Sequence, residues 1–227
     1  MIADASTIDR SAFDRSFDVC VVGSGPAGIT LARRLAAAGA SVALMEAGGL
    51  EITEESQDAY RGTNLGLEYF DLDICRLRYF GGTSNHWGGW SRALDAADFT
   101  ARPWVPLSAW PIDRLALDPY RAEADAILDL PAASDAPDQP MRQDGYDFHR
   151  FQFRFSPPTR FAEKYRAEIE ASDRITLVLN ANLVDLRLDD PLTTVTGAAF
   201  RSYDPADPGF TVRARAYALC TLSLIHI

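Results

Sequence analysis

Three glycines and one acid carry the clearest chemistry in this chain. Gly23, Gly25 and Gly28 form a Gly-x-Gly-x-x-Gly run. At this spacing the first glycine turns a strand tightly into a helix, the second lets a diphosphate approach bare backbone, and the third lets helix and strand pack closely. Glu46 lies 18 residues past Gly28, near the roughly 20-residue spacing at which a carboxylate accepts hydrogen bonds from ribose hydroxyls, and an acid there disfavours a 2′-phosphate. The chemistry implied is a grip on the adenosine diphosphate half of a dinucleotide. Spacing alone does not separate NAD from FAD, because both share that half.

Two features favour FAD. The glycine run stands at the front of the chain, and a second glycine-rich, aromatic segment follows it: Arg76-Leu77-Arg78-Tyr79-Phe80-Gly81-Gly82-Thr83-Ser84-Asn85-His86-Trp87-Gly88-Gly89. His86 is the one nucleophilic imidazole in it. His149, among Asp147, Phe148 and Arg150, reads as a surface or domain-edge residue, and the paired acids Glu54-Glu55 and Asp189-Asp190 read as solvated turns. Cys20, Cys75 and Cys220 are scattered singly, without the paired spacings of zinc sites, redox motifs or a disulfide framework. No metal site is expected, and a reducing cytoplasm is the expected location.

The elements that must position these residues follow from periodicity. Phe17 to Val22 is a short apolar run, the pattern of a strand buried on both faces. From Pro26 the apolar residues fall near helical spacing, with proline suited to the first turn and Gly39 as the stop. Arg33 and Arg34 are expected on that helix's solvated face. Ser41 to Glu46 gives a second buried strand. The stretch from Leu50 to Trp110 is too aromatic for disorder and reads as packed binding loops, with Trp87 and Trp90 as candidate walls of a pocket. A helix is expected from Asp118 as N-cap through Leu128, a surface linker over Pro131 to Pro140, and a second helix from Phe161 to Ser172. Beyond it, Ile175–Leu179, Leu183–Leu188, Val195–Arg201 and Phe210–Ala218, separated by Asp189-Asp190-Pro191 and Asp204-Pro205, suggest an antiparallel meander.

With 227 residues the chain is long enough for a real core, and its formal net charge of −10, with no Lys/Arg run, speaks against nucleic acid and anionic membranes as partners. Met1 to Asp18 lacks the apolar core of a secretory signal, and no apolar run reaches the roughly 18 residues of a membrane span.

At the second glycine segment the chain resembles the N-terminal portion of a glucose-methanol-choline (GMC) oxidoreductase, the FAD-dependent family that oxidises alcohols and sugars. Phe17 to Gly49 resembles the family's FAD fingerprint, and the Arg-rich lead into Gly81-Gly82 resembles its flavin-covering loop. Pro103-Trp104, Trp110-Pro111-Ile112, Leu117-Asp118-Pro119-Tyr120 and Ser156 to Phe161 resemble one bacterial branch. Asn180 to Val184 is similar to the strand whose backbone lies against the adenine.

The resemblance implies an α/β, Rossmann-like FAD-binding domain with a parallel sheet and an antiparallel meander, plus the start of a substrate domain. It divides the chain into 14–100 (FAD-binding domain with flavin loop), 101–165 (start of the substrate or cap region), 166–220 (return to the FAD-binding domain, incomplete) and 221–227 (an aberrant or truncated end). To Gly23, Gly25, Gly28 and Glu46 it adds cofactor contacts at Ser24, Ala27, Ala47, Arg78, Gly81, Gly82, Ser84, Asn85, His86 and Val184. It also implies a flavin contact at His86, which in some members is a covalent bond.

The implied reaction is hydride transfer from the CH–OH carbon of an alcohol, polyol or sugar to flavin N5, with an electron acceptor that the sequence does not name. The proton-accepting histidine and its partner belong to a C-terminal segment of the family, so no catalytic residue is expected in this chain, and His226 is not recruited. The fragment alone is expected to be inactive. The alternatives are a nicotinamide-dependent dehydrogenase and a non-catalytic flavin-binding module.

Overall fold

The computed structural model describes residues 1–132, 141–143, 145–148 and 153–221. His149, His226 and most of the expected linker over Pro131 to Pro140 lie outside the described residues. The chain divides into two compact units, residues 1–86 with 160–227, and residues 87–159.

The first unit is built on seven strands: β1 (Ile2–Asp4), β2 (Ser16–Val22), β3 (Val42–Met45), β4 (Ile175–Leu179), β5 (Asn182–Leu188), β6 (Val195–Arg201) and β7 (Phe210–Leu219). They lie in the order β1-β4-β3-β2-β7-β6-β5. The pairs β1–β4, β4–β3, β3–β2 and β2–β7 are parallel, whereas β7–β6 and β6–β5 are antiparallel. β3 and β4 are buried at every residue, as continuous apolar runs in the middle of a parallel sheet must be. Phe17, Cys20, Met45, Val178, Phe200 and Val212 belong to one core cluster.

Two strand assignments differ from the sequence reading. Ile175–Leu179 is not part of the meander: it runs parallel to β3, with Leu44 opposite Leu177. Its Ile-Thr-Leu-Val-Leu sequence is apolar at nearly consecutive positions, which suits a strand covered on both faces rather than a half-solvated one. The meander therefore comprises β5, β6 and the start of β7. β7 is long enough to serve twice: Phe210 to Val212 pairs antiparallel with β6, and Arg213 to Leu219 pairs parallel with β2. The N-terminus also contributes more than expected, since Ile2 to Asp4 forms a parallel edge strand on β4.

Helix α1 (Pro26–Ala37) buries Gly28, Ile29 and Ala32, and α2 (Phe161–Ala171) buries Phe161, Tyr165 and Ile169 at four-residue intervals. Arg33 does not face solvent freely. Its guanidinium lies 3.8 Å from the centre of the Tyr165 ring and 2.7 Å from Glu168, so it joins the two helices.

The turn between β6 and β7 is held by Asp207, whose carboxylate accepts from the Ser202 N–H at 2.7 Å, the Gly209 N–H at 2.9 Å and Arg10 at 3.0 Å. Burial opposes the charge, but these donors outweigh it and bring the Asp207 carboxyl from 3.8 down to about 2. The folded value lies below the ordinary one, so the stability it contributes is full above 3.8 and is lost as the pH falls through about 2. Asp207→Asn is expected to lower the denaturation midpoint at neutral pH and to make no difference at the acid end of that window. Parallel urea melts at both pH values check this, and an equal loss at both would remove the charge from the explanation.

In the second unit Trp90–Ser91 pairs antiparallel with Arg154–Phe155, and Trp90 meets the rings of Phe153 and Phe155. Arg154 grips Asp125 with two nitrogens at 2.7 and 2.6 Å, tying this pair to the helical turn Arg121–Ile127. Asp118, expected as the cap of that helix, lies within a preceding 3-10 turn, Asp118–Tyr120. The aromatic loops are packed only in part. Phe80 is buried, but Tyr69 and Phe70 are exposed and touch each other edge to face.

Candidate cofactor site

β2 ends at Val22, and Gly23 takes a left-handed conformation (φ +97°) while donating its N–H to the Met45 carbonyl at 2.7 Å. A side chain here would be strained, and its Cβ would press on the Cys220 carbonyl at 2.9 Å. Gly28 is constrained differently: a Cβ would overlap the Gly23 carbonyl oxygen, so the first turn of α1 can lie against the strand end only without one. Gly25 contrasts with both, since a Cβ there would have nothing within 4 Å. Its backbone is extended and it caps α1 without a side-chain bond, and the first turn carries no acid. Backbone N–H groups and the positive end of the helix dipole thus open onto vacant space, the arrangement that receives a phosphate.

The second glycine segment lies against this turn. Gly81 donates to the Ser24 carbonyl at 3.1 Å, Phe80 to the Gly49 carbonyl at 2.9 Å and Gly82 to the Tyr79 carbonyl at 2.7 Å. A Cβ on Gly82 would stand 3.3 Å from the Cα of Gly25, and one on Gly48 would overlap the Arg78 carbonyl. Two loops some fifty residues apart in sequence therefore meet backbone to backbone, glycine against glycine. A side chain on Gly48 would prevent this approach and one on Gly82 would crowd it, whereas one on Gly25 would meet open space. Ser84 is buried, donates its hydroxyl to the Gly81 carbonyl at 2.7 Å and accepts the Phe161 N–H at 3.3 Å. Asn85 donates to the Phe80 carbonyl at 2.8 Å.

Glu46 is 6% exposed. Its Oε2 accepts the Ser24 N–H at 2.9 Å and the Ser24 hydroxyl at 2.6 Å, and its Oε1 accepts the Gly48 N–H at 2.9 Å. The carboxylate thus staples the glycine turn to the loop after β3. Its four lone-pair positions are not exhausted by these three bonds, so a ribose hydroxyl can still be accepted.

The other expected contacts are distributed around this junction. Arg78 donates to the Asn182 side chain at 2.8 Å, Ala47 is half-buried, Ala27 is exposed at the start of α1, and Val184 is exposed on β5, two residues beyond Asn182. His86 ends the 3-10 turn Gly82–Asn85; it is exposed, and its ring has no hydrogen-bond partner among the described residues.

Sequence reasoning missed three residues here. Tyr60 lies under Arg78, with the guanidinium 5.7 Å from its ring centre. The Tyr203 hydroxyl is buried beside this junction, and burial pushes its pKa up. Gln57 is buried among backbone groups of the segment leading to Arg78. None carries a local motif.

The three cysteines are free, and burial pushes the Cys20 thiol up to about 12, which keeps it unreactive. Among the described residues no His/Cys/Asp/Glu group could hold a metal, and no helix is long and apolar enough to cross a membrane.

Residues 16–57 match the family described as FAD binding domain. That stretch is similar to an FAD-binding domain. No curated protein matches the sequence. Among solved structures, a pyridoxine 4-oxidase from Mesorbium loti matches with a TM-score of 0.56 and 17% identity, over 89% of this chain and 49% of its own. A fungal aryl-alcohol oxidase matches with a TM-score of 0.56 and 14% identity, over 90% and 45% respectively. The chain thus spans about half the length of these proteins and shares their fold. The resemblance read from the sequence and the match over residues 16–57 agree on FAD binding, and the solved structures share the α/β, Rossmann-like fold. The residues present fit that group: an uncapped helix N-terminus faces open space at Gly25, with a carboxylate holding the turn beside it.

Proposed function

We propose that this chain is the N-terminal FAD-binding portion of a GMC-type oxidoreductase that removes hydride from the CH–OH carbon of an alcohol, polyol or sugar. The observation that supports this reading best is the meeting of the two glycine loops, Gly82 on Gly25, beside the open end of α1. Bound FAD supplies the hydride acceptor, its N5. The Gly23 to Gly28 turn and the first N–H groups of α1 bind the pyrophosphate, while Glu46 fixes that turn and accepts from the ribose. Arg78 and the backbone near Val184 border the adenosine end, and the loop from Gly81 to His86 covers the flavin and excludes water. The stretch 101–165 begins the substrate region. The base that takes the hydroxyl proton is assigned to no residue of this chain.

Titration of the chain with FAD, followed by visible absorption, tests the cofactor half of the proposal. Bound oxidised flavin absorbs in the blue and NAD does not, so a flavin spectrum that stays with the protein is expected, and a chain that binds only NAD would sink the reading. In this reading the same loop brings His86 to the flavin. If the contact is covalent, colour stays with acid-precipitated protein and His86→Ala releases it. If it is not, the flavin leaves with the acid, and His86→Ala shifts the flavin potential while occupancy stays near that of the unsubstituted chain. A substitution that changes neither retention nor potential would remove His86 from the flavin.

A further inference from the structure

We propose that Gln57 is a positioning residue for FAD: its buried amide sets the second glycine loop against the dinucleotide turn. The proposal rests on the FAD reading and assigns a determinant of it that no motif marks.

Gln57 sits in a short helical turn, Glu54–Asp58, begun by Thr53, whose hydroxyl accepts the Ser56 N–H at 3.2 Å. From there its side chain reaches three backbone groups of one distant segment. Nε2 donates to the Asp73 carbonyl at 2.6 Å and the Arg76 carbonyl at 2.8 Å, and Oε1 accepts the Arg78 N–H at 2.7 Å. The partners force the orientation of the amide, because a carbonyl can only accept and an N–H can only donate. An amide is the side-chain group that meets two acceptors with one end and a donor with the other.

Beyond Arg78 the same segment is fixed link by link. The Arg78 carbonyl lies where a Cβ on Gly48 would be, Phe80 bonds Gly49, Gly81 bonds Ser24, and Gly82 rests on Gly25. Gln57 thus fixes the approach of the loop and the backbone bonds fix its landing. Without the amide, the carbonyls of Asp73 and Arg76 and the N–H of Arg78 would have to seek water. The loop would then spend part of its time away from Gly25, and FAD would pay for its return on binding.

The test compares FAD with AMP on the full chain. AMP carries adenine, ribose and one phosphate, which meet the second segment only at the Arg78 side chain, itself held on Asn182, and it has nothing for the loop from Gly81 to His86 to cover. Gln57→Leu is expected to weaken FAD binding about 10- to 100-fold and to leave AMP binding within about 2-fold. Gln57→Glu keeps the acceptor for Arg78 but sets an oxygen against two carbonyls, so the same contrast is expected, and it serves where the leucine variant does not fold. In the unsubstituted chain, hydrogen exchange at the Arg78 and Gly81 amides should slow when FAD is added. Equal losses for FAD and AMP would make Gln57 a general structural residue and overturn the proposal, as would unchanged FAD binding in either variant. An unsubstituted chain that takes up no FAD would instead bring down the cofactor reading, and the proposal with it.

Discussion

Gly25→Val is expected to yield a folded protein that no longer retains FAD. The two halves of this result come from different observations. A Cβ at Gly25 has nothing within 4 Å, and the extended backbone there, φ −71° and ψ −174°, is one that valine adopts readily. The only expected cost to the apoprotein is that of a poor helix N-cap, about 1 kcal/mol. The same open space is where the pyrophosphate must approach α1, and an isopropyl group in it blocks the bonds from backbone N–H to phosphate oxygen. Hydrogen bonds to a charged group are worth about 1.5–3 kcal/mol, so losing one weakens binding by about 10- to 100-fold and losing two by about 100-fold or more. Gly28→Ala is the converse control. Its Cβ overlaps the Gly23 carbonyl and meets the Cys220 side chain, and it should cost about 3 kcal/mol of stability. Denaturant melts with FAD titrations on both variants check the pair. Full flavin occupancy in a folded Gly25→Val chain would put the pyrophosphate elsewhere.

The strand-helix-strand unit that carries these glycines was legible because every signal in it is local. A continuous apolar run gives β2, Pro26 and the helical spacing give α1, and Gly39 (φ +91°) ends it. Long-range pairing was not legible in the same way. Ile175–Leu179 reads in series as the first of four short strands; its apolar run suits burial on both faces, but its pairing between β1 and β3 is set by residues far away in sequence. An aromatic content too high for disorder points to packed loops around Tyr69 and Phe70, yet both side chains stand in solvent. Spacing found the site's glycines and its acid, but it could not find their partners. Gln57 meets its three partners 16, 19 and 21 residues downstream through a loop of irregular structure, which no periodicity encodes.

Glu46 shows the same limit and carries the second large effect. From spacing alone, Glu46→Ala should remove a ribose contact and leave the fold intact. In the structure the carboxylate also accepts three protein donors, the Ser24 N–H, the Ser24 hydroxyl and the Gly48 N–H, at a site 6% exposed. Removing it leaves those donors without an acceptor, and a buried unsatisfied donor costs about 1–3 kcal/mol. The Ser24 hydroxyl can turn to another acceptor but the two backbone N–H groups cannot, so a stability loss of about 3 kcal/mol is expected for the apoprotein. FAD affinity should fall by about 10- to 100-fold as well, from the ribose contact and from the loosened turn together. Glu46→Gln separates the two effects: it keeps one acceptor oxygen for the clamp and loses the charge, so its stability should lie between those of the other two forms. Urea denaturation without cofactor and FAD titration of the folded fraction measure the effects independently. If Glu46→Ala is as stable as the unsubstituted chain, the clamp contributes nothing to folding; if its folded fraction binds FAD with unchanged affinity, the ribose is held by other residues.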